Sequence, residues 1–115
     1  MDNETTPLVS SNNSDEEPLF LLSLLNNELM SSSWKLINKE YNIGRSSENS
    51  IILDDITVSR KHALLLVSKE NIKIVDNNST NGIYVNNEII SDYELRSGDK
   101  IQVGKYILLL TEVIK

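Results

Sequence analysis

The sequence contains no cysteine and a single histidine, His62. Without cysteine the chain has no disulfide, no thiolate metal site and no thiol nucleophile, which is the composition that a reducing cytoplasm permits. A metal site built on one histidine would need carboxylates for all its other ligands, a poor set for zinc and similar metals. We therefore expect a cytoplasmic protein with no metal and no cofactor.

Aromatic residues are also scarce, at 5% of 115 residues, and Phe20 and Trp34 are each the single residue of their type. Hydrophobic residues make up 39% of the chain, so the core must consist mainly of Ile, Leu and Val. These aliphatic types, two of them β-branched, fit β-strands. The length is enough for one domain and a tail but not for two cores.

Basic residues are absent from residues 1–33, which carry six acids and no Lys or Arg. The charges of these six acids account for the whole net charge of −6, since residues 34–115 contain 11 basic and 11 acidic residues. Nucleic-acid binding needs clustered Lys and Arg, and no such cluster is left. The six acids are Asp2, Glu4, Asp15, Glu16, Glu17 and Glu28.

A hydrophobic run follows Pro18, but it is far shorter than the ~20 residues that a membrane helix needs. Acidic residues precede it, where a signal peptide has a positive region. We interpret residues 19–25 as the first strand of the domain and expect no membrane association. Leucines at positions 21, 22, 24, 25 and 29 could also form one face of a helix, so the strand has an alternative.

After residue 18, short runs of β-type residues recur at intervals of roughly 8–12 residues, separated by turn residues such as Asn86-Asn87 and Ser97-Gly98-Asp99. The pattern predicts an all-β domain over residues 18–115, an antiparallel β-sandwich of about ten to eleven strands. Residues 26–33 are predicted as a polar loop. Strands are predicted at 19–25, 34–37, 41–44, 51–53, 63–67, 72–74, 83–85, 88–90, 100–103 and 106–113.

Residues 1–17 are acidic and rich in Ser, Asn and Thr, and they have too little apolar surface to offset the entropy of ordering. We predict a disordered tail whose candidate phosphorylation sites are Thr5 and Thr6, although both could be merely solubilising. Pro7 biases Thr6 toward extended geometry. About a dozen residues separate Thr6 from Pro18, and the expected reach of roughly 20 Å would let the tail contact its own domain.

Three polar clusters flank predicted strands: Gly44-Arg45, Ser59-Arg60-Lys61-His62 and Ser79-Thr80-Asn81-Gly82. In an antiparallel sandwich, loops of this kind can meet at one end of a rigid scaffold. Together they would supply guanidinium groups, hydroxyls, an amide and backbone N–H groups, which are donors suited to a phosphate. The clusters therefore indicate a phosphate-binding site.

Each candidate has a role and an alternative. The planar fork of Arg45 suits phosphate oxygens, but this side chain could instead pair with Glu48 or Asp54 at the surface. Ser59 and Thr80 would donate hydroxyls. The candidate binding residues are Arg45, Ser59, Arg60 (to phosphate or peptide backbone), Thr80 and Asn81 (to the peptide main chain), although Asn81-Gly82 also has the sequence of a tight turn.

Catalysis is not expected. His62 has no second candidate base and no orienting carboxylate at a fixed spacing, so a role in general-base catalysis has no support. The sequence also lacks a nucleotide-binding glycine loop. Gly44 and Gly82 are interpreted as backbone requirements, either for positive φ or for close approach. We expect a non-enzymatic protein.

The three clusters, followed by Tyr84-Val85-Asn86 and Gly98-Asp99, resemble the signature of the forkhead-associated (FHA) domain from about residue 18 onward. This resemblance implies an antiparallel β-sandwich that binds phosphothreonine peptides. It also implies that His62 is a scaffold residue whose hydrogen bonds brace the binding loops.

Residues 43–82, together with Glu4-Thr5-Thr6, are similar to an actinobacterial group of FHA proteins, the glycogen accumulation regulators or oxoglutarate dehydrogenase inhibitors. This similarity implies a monomer that binds metabolic enzymes when unphosphorylated, namely the 2-oxoglutarate dehydrogenase complex and glutamate dehydrogenase. A serine/threonine kinase would then modify Thr5 or Thr6, and the tail would dock on its own domain and displace the partners. The alternative is a generic phosphothreonine-reading adaptor with an inert tail.

Overall fold

The computed structural model describes residues 17–26 and 29–114, which form two packed β-sheets. The prediction of an all-β sandwich is confirmed. Within the described residues, no helix has the length and apolar character needed to cross a membrane. The strands are β1 Phe20–Asn26, β2 Leu29–Leu36, β3 Glu40–Gly44, β4 Ile51–Ile52, β5 Ala63–Val67, β6 Ile72–Asp76, β7 Ile83–Val85, β8 Glu88–Ile90, β9 Asp92–Leu95, β10 Lys100–Val103 and β11 Tyr106–Glu112.

The six-stranded sheet has the order β2-β1-β11-β10-β7-β8, and the five-stranded sheet has the order β4-β3-β5-β6-β9. The described strand pairs are antiparallel except β3 with β4, where Ile43 lies opposite Ile51 in a parallel pair. Because β4 is two residues long and lies at the sheet edge, this pair changes little in the expected architecture.

The core follows the period of two that strands impose on their side chains. In β5, Ala63, Leu65 and Val67 are buried, while Leu64 and Leu66 point outward and are half-buried. Tyr41 is the aromatic residue of the buried set, and its hydroxyl accepts a hydrogen bond from Ile37 N at 2.8 Å. The other buried hydrophobic residues are aliphatic: Leu22, Leu36, Ile43, Ile51, Leu53, Val58, Ile72, Ile74, Ile83, Val85, Leu95, Ile101, Val103, Leu108 and Leu110, with the three of β5.

Two predictions about individual elements are wrong. The loop predicted at residues 26–33 is largely strand, because β2 begins at Leu29 and its serines pair with β1, with Ser33 opposite Ser23. Ladder hydrogen bonds to β1 outweigh the low β-propensity of these polar residues. The strand β9 is missing from the predicted strands: Tyr93 and Leu95 alternate with Asp92 and Glu94, but this pattern is only four residues long and only Leu95 is buried.

The sandwich has two distinct ends. At the terminal end, β1 begins and β11 finishes, with Leu19 N bonded to Leu36 O at 2.8 Å and Val113 N bonded to Leu19 O at 3.0 Å. The opposite end, which we call the loop end, consists of segments 45–50, 53–62 and 77–82 and the β10–β11 turn at 104–105. Lys105 N donates to Thr57 Oγ1 at 2.9 Å, which fixes this turn beside the second of these segments.

Candidate functional site

Arg45 and Ser59 lie side by side at the loop end. The pairing of β3 with β5 continues beyond the strand ends, where Arg45 N donates to Ser59 O at 3.0 Å and Ser46 N donates to Arg60 O at 3.2 Å. Two of the three polar clusters are thus joined through their main chains. The side chain of Arg60 is exposed beside them.

The guanidinium of Arg45 is held by the backbone of the second cluster. Its Nε donates to Val58 O at 3.0 Å, and the residue is half-buried. The structure records no ion pair of Arg45 with Glu48 or Asp54, both of which lie in the described part of the chain. One donor therefore fixes the orientation of the fork, and the terminal nitrogens keep donors for an anion.

The third cluster is fixed to the second by two side-chain hydrogen bonds. Thr80 N donates to Ser59 Oγ at 3.0 Å, and Asn81 Nδ2 donates to Thr57 O at 2.9 Å. Because Ser59 Oγ accepts the first bond, its own hydrogen can be donated elsewhere. Thr80 and Asn81 are exposed, so their remaining polar atoms face solvent. The structure thus brings all five predicted binding residues to the loop end.

His62 lies beneath these loops and is fully buried, with 0% of its surface exposed. Its Nδ1 accepts a hydrogen bond from Ser59 N at 2.9 Å, and its Nε2 lies 2.8 Å from Gly82 O. A nitrogen that accepts from a backbone N–H carries no proton, so the hydrogen is on Nε2, which donates to Gly82 O. The imidazole bridges the second and third clusters and has no access to a bound ligand.

The two glycines of the loops, Gly44 and Gly82, meet different requirements. A Cβ at Gly44 would collide with the carbonyl oxygen of Arg60 and lie 2.8 Å from Asn49 Nδ2. Gly82 instead has φ of +82°, a conformation that side chains disfavour. Close approach explains the first glycine, and positive φ explains the second.

Asn49 and Thr57 belong to the site but were missed in the sequence. Asn49 is 7% exposed, and its Nδ2 donates to Ser46 O at 2.8 Å and to Arg60 O at 2.7 Å, so it joins the first cluster to the second. Thr57 accepts the bond from Asn81. In the sequence, only the spacing Asp55-x-Thr57, which is typical of an Asx turn, indicates a role for Thr57. No sequence pattern indicates a role for Asn49.

Asp55 anchors the segment that carries Thr57. Its Oδ2 accepts hydrogen bonds from Thr57 Oγ1 at 2.6 Å and Thr57 N at 2.9 Å, and its Oδ1 lies 3.2 Å from Lys105 Nζ. The Thr57 hydroxyl and amide, with a smaller contribution from Lys105, lower the pKa of Asp55 to about 2. The carboxylate therefore stays ionised at neutral pH and ties segment 53–58 to the β10–β11 turn.

A shallow pocket of about 220 Å³ lies where the loop end meets the outer surface of the six-stranded sheet. It adjoins the third polar cluster through Asn81 and Gly82. The described residues contain no group of three His, Asp or Glu side chains placed to hold a metal ion. The pocket is lined by Thr57, Asn81, Gly82, Tyr84, Gln102, Gly104 and Lys105.

Comparison with known proteins finds a match of residues 41–104 to the FHA domain family. An oxoglutarate dehydrogenase inhibitor from Corynebacterium efficiens is 46% identical over 66 residues, which are 57% of this chain and 46% of that protein. The glycogen accumulation regulator GarA of Mycobacterium tuberculosis is 42% identical over 66 residues, 57% of this chain and 41% of that protein.

Solved structures also match. One comes from a structural and functional study of phosphothreonine-dependent FHA domain interactions, with a TM-score of 0.78 and 27% identity over 84% of this chain and 99% of that one. The chain spans about half the length of the curated relatives it matches. The family match covers more than half of the sequence, including all three polar clusters. The chain therefore belongs to the FHA domain family.

Proposed function

We propose that this protein is a regulator that binds phosphothreonine peptides and has no catalytic activity. The observation that carries the proposal is the hydrogen-bonded convergence of Arg45, Ser59 and Thr80 at one end of the sandwich. A phosphate brings about 1.5–2 negative charges and three acceptor oxygens. Each hydrogen bond to a charged group contributes about 1.5–3 kcal/mol, so a few of them decide whether a phosphorylated segment binds.

In this proposal the terminal nitrogens of Arg45 and the hydroxyl hydrogen of Ser59 bind the phosphate oxygens. Thr80 adds a second hydroxyl, and Arg60 binds the phosphate or the backbone beside it. Asn81 holds the peptide main chain through Oδ1 and its second N–H, since one Nδ2 hydrogen is already donated to Thr57 O. Gly44, His62 and Gly82 keep the loops in place.

The regulated partners are proposed from the relatives. Because relatives are named oxoglutarate dehydrogenase inhibitors, we propose that the unphosphorylated protein, a cytoplasmic monomer, binds the 2-oxoglutarate dehydrogenase complex and also glutamate dehydrogenase. A serine/threonine kinase would then modify Thr5 or Thr6, which lie outside the described residues. The phosphorylated tail would dock on the loop end and release the partners.

Peptide binding tests the core of the proposal. We expect a phosphothreonine peptide to bind in a fluorescence titration, its unphosphorylated form not to bind, and Arg45→Ala to weaken binding at least tenfold, since about 1.5–3 kcal/mol is lost with one charge-assisted contact. Arg96→Ala is the matched control, because Arg96 is an exposed arginine that follows β9, away from the three clusters. Equal affinity for all three proteins would overturn the proposal.

An adaptor with an inert tail is the second candidate. It is favoured by one observation: the chain enters β1 at the terminal end, far from the three polar clusters. Replacing Thr5 and Thr6 together by alanine separates the candidates. If the tail is a switch, kinase treatment of the double variant no longer releases 2-oxoglutarate dehydrogenase from inhibition. If the protein is an adaptor, the variant binds phosphorylated partners as before.

A further inference from the structure

We propose that, in the phosphorylated protein, the tail follows the outer face of the six-stranded sheet from the loop end to the terminal end. This inference rests on the proposed function, because it concerns the route of the docked tail. The outer face is the set of outward-pointing positions of that sheet. Its described side chains are Leu21, Ser23, Leu25, Ser33, Lys35, Tyr84, Ile89, Lys100, Gln102, Ile107, Leu109 and Thr111.

The length of the tail requires a stretched route. Glu17 leaves the sandwich at the terminal end, and the loop end lies about 23 Å away along the seven residues of β1, at roughly 3.3 Å per residue. The site also lies three strands across the sheet from β1, which adds about 14 Å sideways and gives a span of about 27 Å. Thr6 is eleven residues from Glu17. Eleven residues extend to at most about 36–40 Å but average about 17–20 Å as free coil.

Two pockets mark the start of this route. The pocket beside Asn81 shares Tyr84 and Gln102 with a second pocket of about 160 Å³ that reaches Ile107 and Lys100. A row of cross-strand pairs continues from these pockets across the sheet: Tyr84 pairs with Gln102, Gln102 with Ile107, and Ile107 with Leu25. In the sequence of the tail, the apolar residues Pro7, Leu8 and Val9 follow Thr6 directly. A phosphothreonine held at the loop end would therefore bring them to this row.

Charge distinguishes the two outer faces of the sandwich. The outward positions of the six-stranded sheet carry Lys35 and Lys100 and, among the described residues, no carboxylate. The corresponding positions of the five-stranded sheet carry Glu40, Asp92 and Glu94 against Lys73 alone. An acidic tail without Lys or Arg is attracted to the first face and repelled by the second.

Ser23 gives an additional contact near the middle of the route. It is fully buried on the outer side of β1, opposite Leu109 and Ser33, and its hydroxyl has no hydrogen-bond partner in the described part of the chain. Buried hydroxyls are normally satisfied. Because Ser23 has no exposed surface, a backbone passing over β1 would supply the missing partner only after neighbouring side chains move aside.

Amide NMR on the full chain tests the route. Phosphothreonine is placed at position 5 or 6 by genetic code expansion, and the spectrum is compared with that of the unmodified chain. We expect shifts at Ser59 and Thr80 together with shifts at Ile107, Leu109 and Lys100. Shifts in the loops alone, or in the loops and β6, would overturn the route but leave the proposed function intact. Unmoved loops would overturn both.

Competition measures the strength of the contacts. A free phosphopeptide displaces the docked tail, so its apparent affinity rises when the tail is held less tightly. We expect Lys100→Glu in the phosphorylated chain to raise this affinity about twofold to fivefold, as loss of an exposed ion pair does. Lys73→Glu, the matched exposed lysine of the other sheet, should leave it unchanged; equal effects of the two variants would contradict the route.

A tail variant completes the test without altering any described residue. Replacing Leu8 and Val9 by serine removes apolar surface that would lie on Tyr84 and Ile107, so the apparent affinity of the competing peptide should rise about tenfold. Both positions lie outside the described residues, and urea unfolding of the variant checks that the sandwich is intact. An unchanged affinity would show that the tail does not use this face.

Discussion

His62 lies at the centre of the binding loops but is hidden from any ligand. Its two ring nitrogens bond to the backbone of Ser59 and of Gly82, 23 residues apart in the sequence. Since Ser59 Oγ in turn accepts a hydrogen bond from Thr80 N, the position of one buried imidazole determines the positions of the half-buried Ser59 and the exposed Thr80. Stability and peptide affinity are therefore linked at this residue.

We predict that His62→Ala destabilises the protein by about 3 kcal/mol, because it leaves a buried N–H and a buried carbonyl unpaired and opens a cavity. Urea unfolding followed by tryptophan fluorescence measures the loss, and a phosphopeptide titration should show weaker binding. Lys61→Ala, at the exposed neighbouring position, is the control and should leave both quantities within error. A stable His62→Ala protein with normal affinity would contradict this role.

The residues of the site divide into those with a sequence signal and those without. Arg45, Ser59 and Asn81 could be selected because they stand in polar clusters between β-type runs. Asn49 could not, since an asparagine in a polar loop has the same surroundings in the sequence whether it is exposed or buried. Its importance comes from the carbonyl groups of Ser46 and Arg60, which approach it only after the chain folds.

Among the structural elements, segment 53–58 depends on one carboxylate. The pKa of Asp55 is lowered from its ordinary value of 3.8 to about 2, mainly by Thr57. A lowered folded-state pKa means that the ionised form stabilises the fold. The contribution is complete above about pH 4 and is lost as the pH falls from 3.8 toward 2.

We therefore predict that Asp55→Asn is less stable than the unchanged protein at pH 6 and that the difference shrinks between pH 4 and pH 2. Urea midpoints at a series of pH values measure it. Asp54→Asn, the exposed neighbour, serves as the control. A stability difference that stays constant down to pH 2 would mean that the Asp55 carboxylate is not the source of the effect.

The β7–β8 turn is a second element with a testable requirement. Asn86 and Asn87 both have positive φ, +50° and +73°, as a two-residue type I′ turn requires. Asn-Gly is the preferred pair for this turn, so we predict that Asn87→Gly stabilises the protein by about 0.5 kcal/mol.

Asn86→Gly is the matched comparison in the same turn. It should destabilise by about 1–2 kcal/mol, because Asn86 Oδ1 accepts from Lys100 N and its Nδ2 donates to Asp99 Oδ1. Thermal unfolding of both variants measures the two changes in stability. The prediction fails if the two glycine variants change stability in the same direction.

For the strands, the success of prediction followed how apolar each local sequence is. The strands β5 and β7 have the predicted bounds because their residues are continuously apolar or alternate. The strand β9 and the serines of β2 lie on edge strands, where hydrogen bonds to a single neighbour support the extended conformation. The alternation in β9 is only four residues long and the serine run of β2 is polar, so the local pattern gives little signal for either.

For the whole molecule, the main constraint is that the tail enters the sandwich at the end opposite to the binding loops. If the tail docks in cis as proposed, it must therefore extend along the full length of the domain. If the linked tail acts at millimolar effective concentration on a site of micromolar affinity, docking stabilises the fold by about 4 kcal/mol.

We predict that kinase treatment raises the melting temperature by about 16–32 °C, since 1 kcal/mol corresponds to about 4–8 °C for a domain of this size. Differential scanning calorimetry measures the change. A chain with Thr5 and Thr6 both replaced by alanine, treated in the same way, should melt at the original temperature. Identical melting of modified and unmodified chains would indicate that the tail stays undocked.

The closeness of Leu19 and Val113 has a practical consequence for measurement. Both residues lie at the terminal end, where Val113 N bonds to Leu19 O, about 25 Å from the turn at 104–105 along the length of β11. A surface-immobilised sample tethered through residues beyond Val113 would present Arg45, Ser59 and Asn81 to the flowing solution. Biosensor experiments can therefore compare phosphorylated and unphosphorylated chains without the attachment point blocking either partner or peptide.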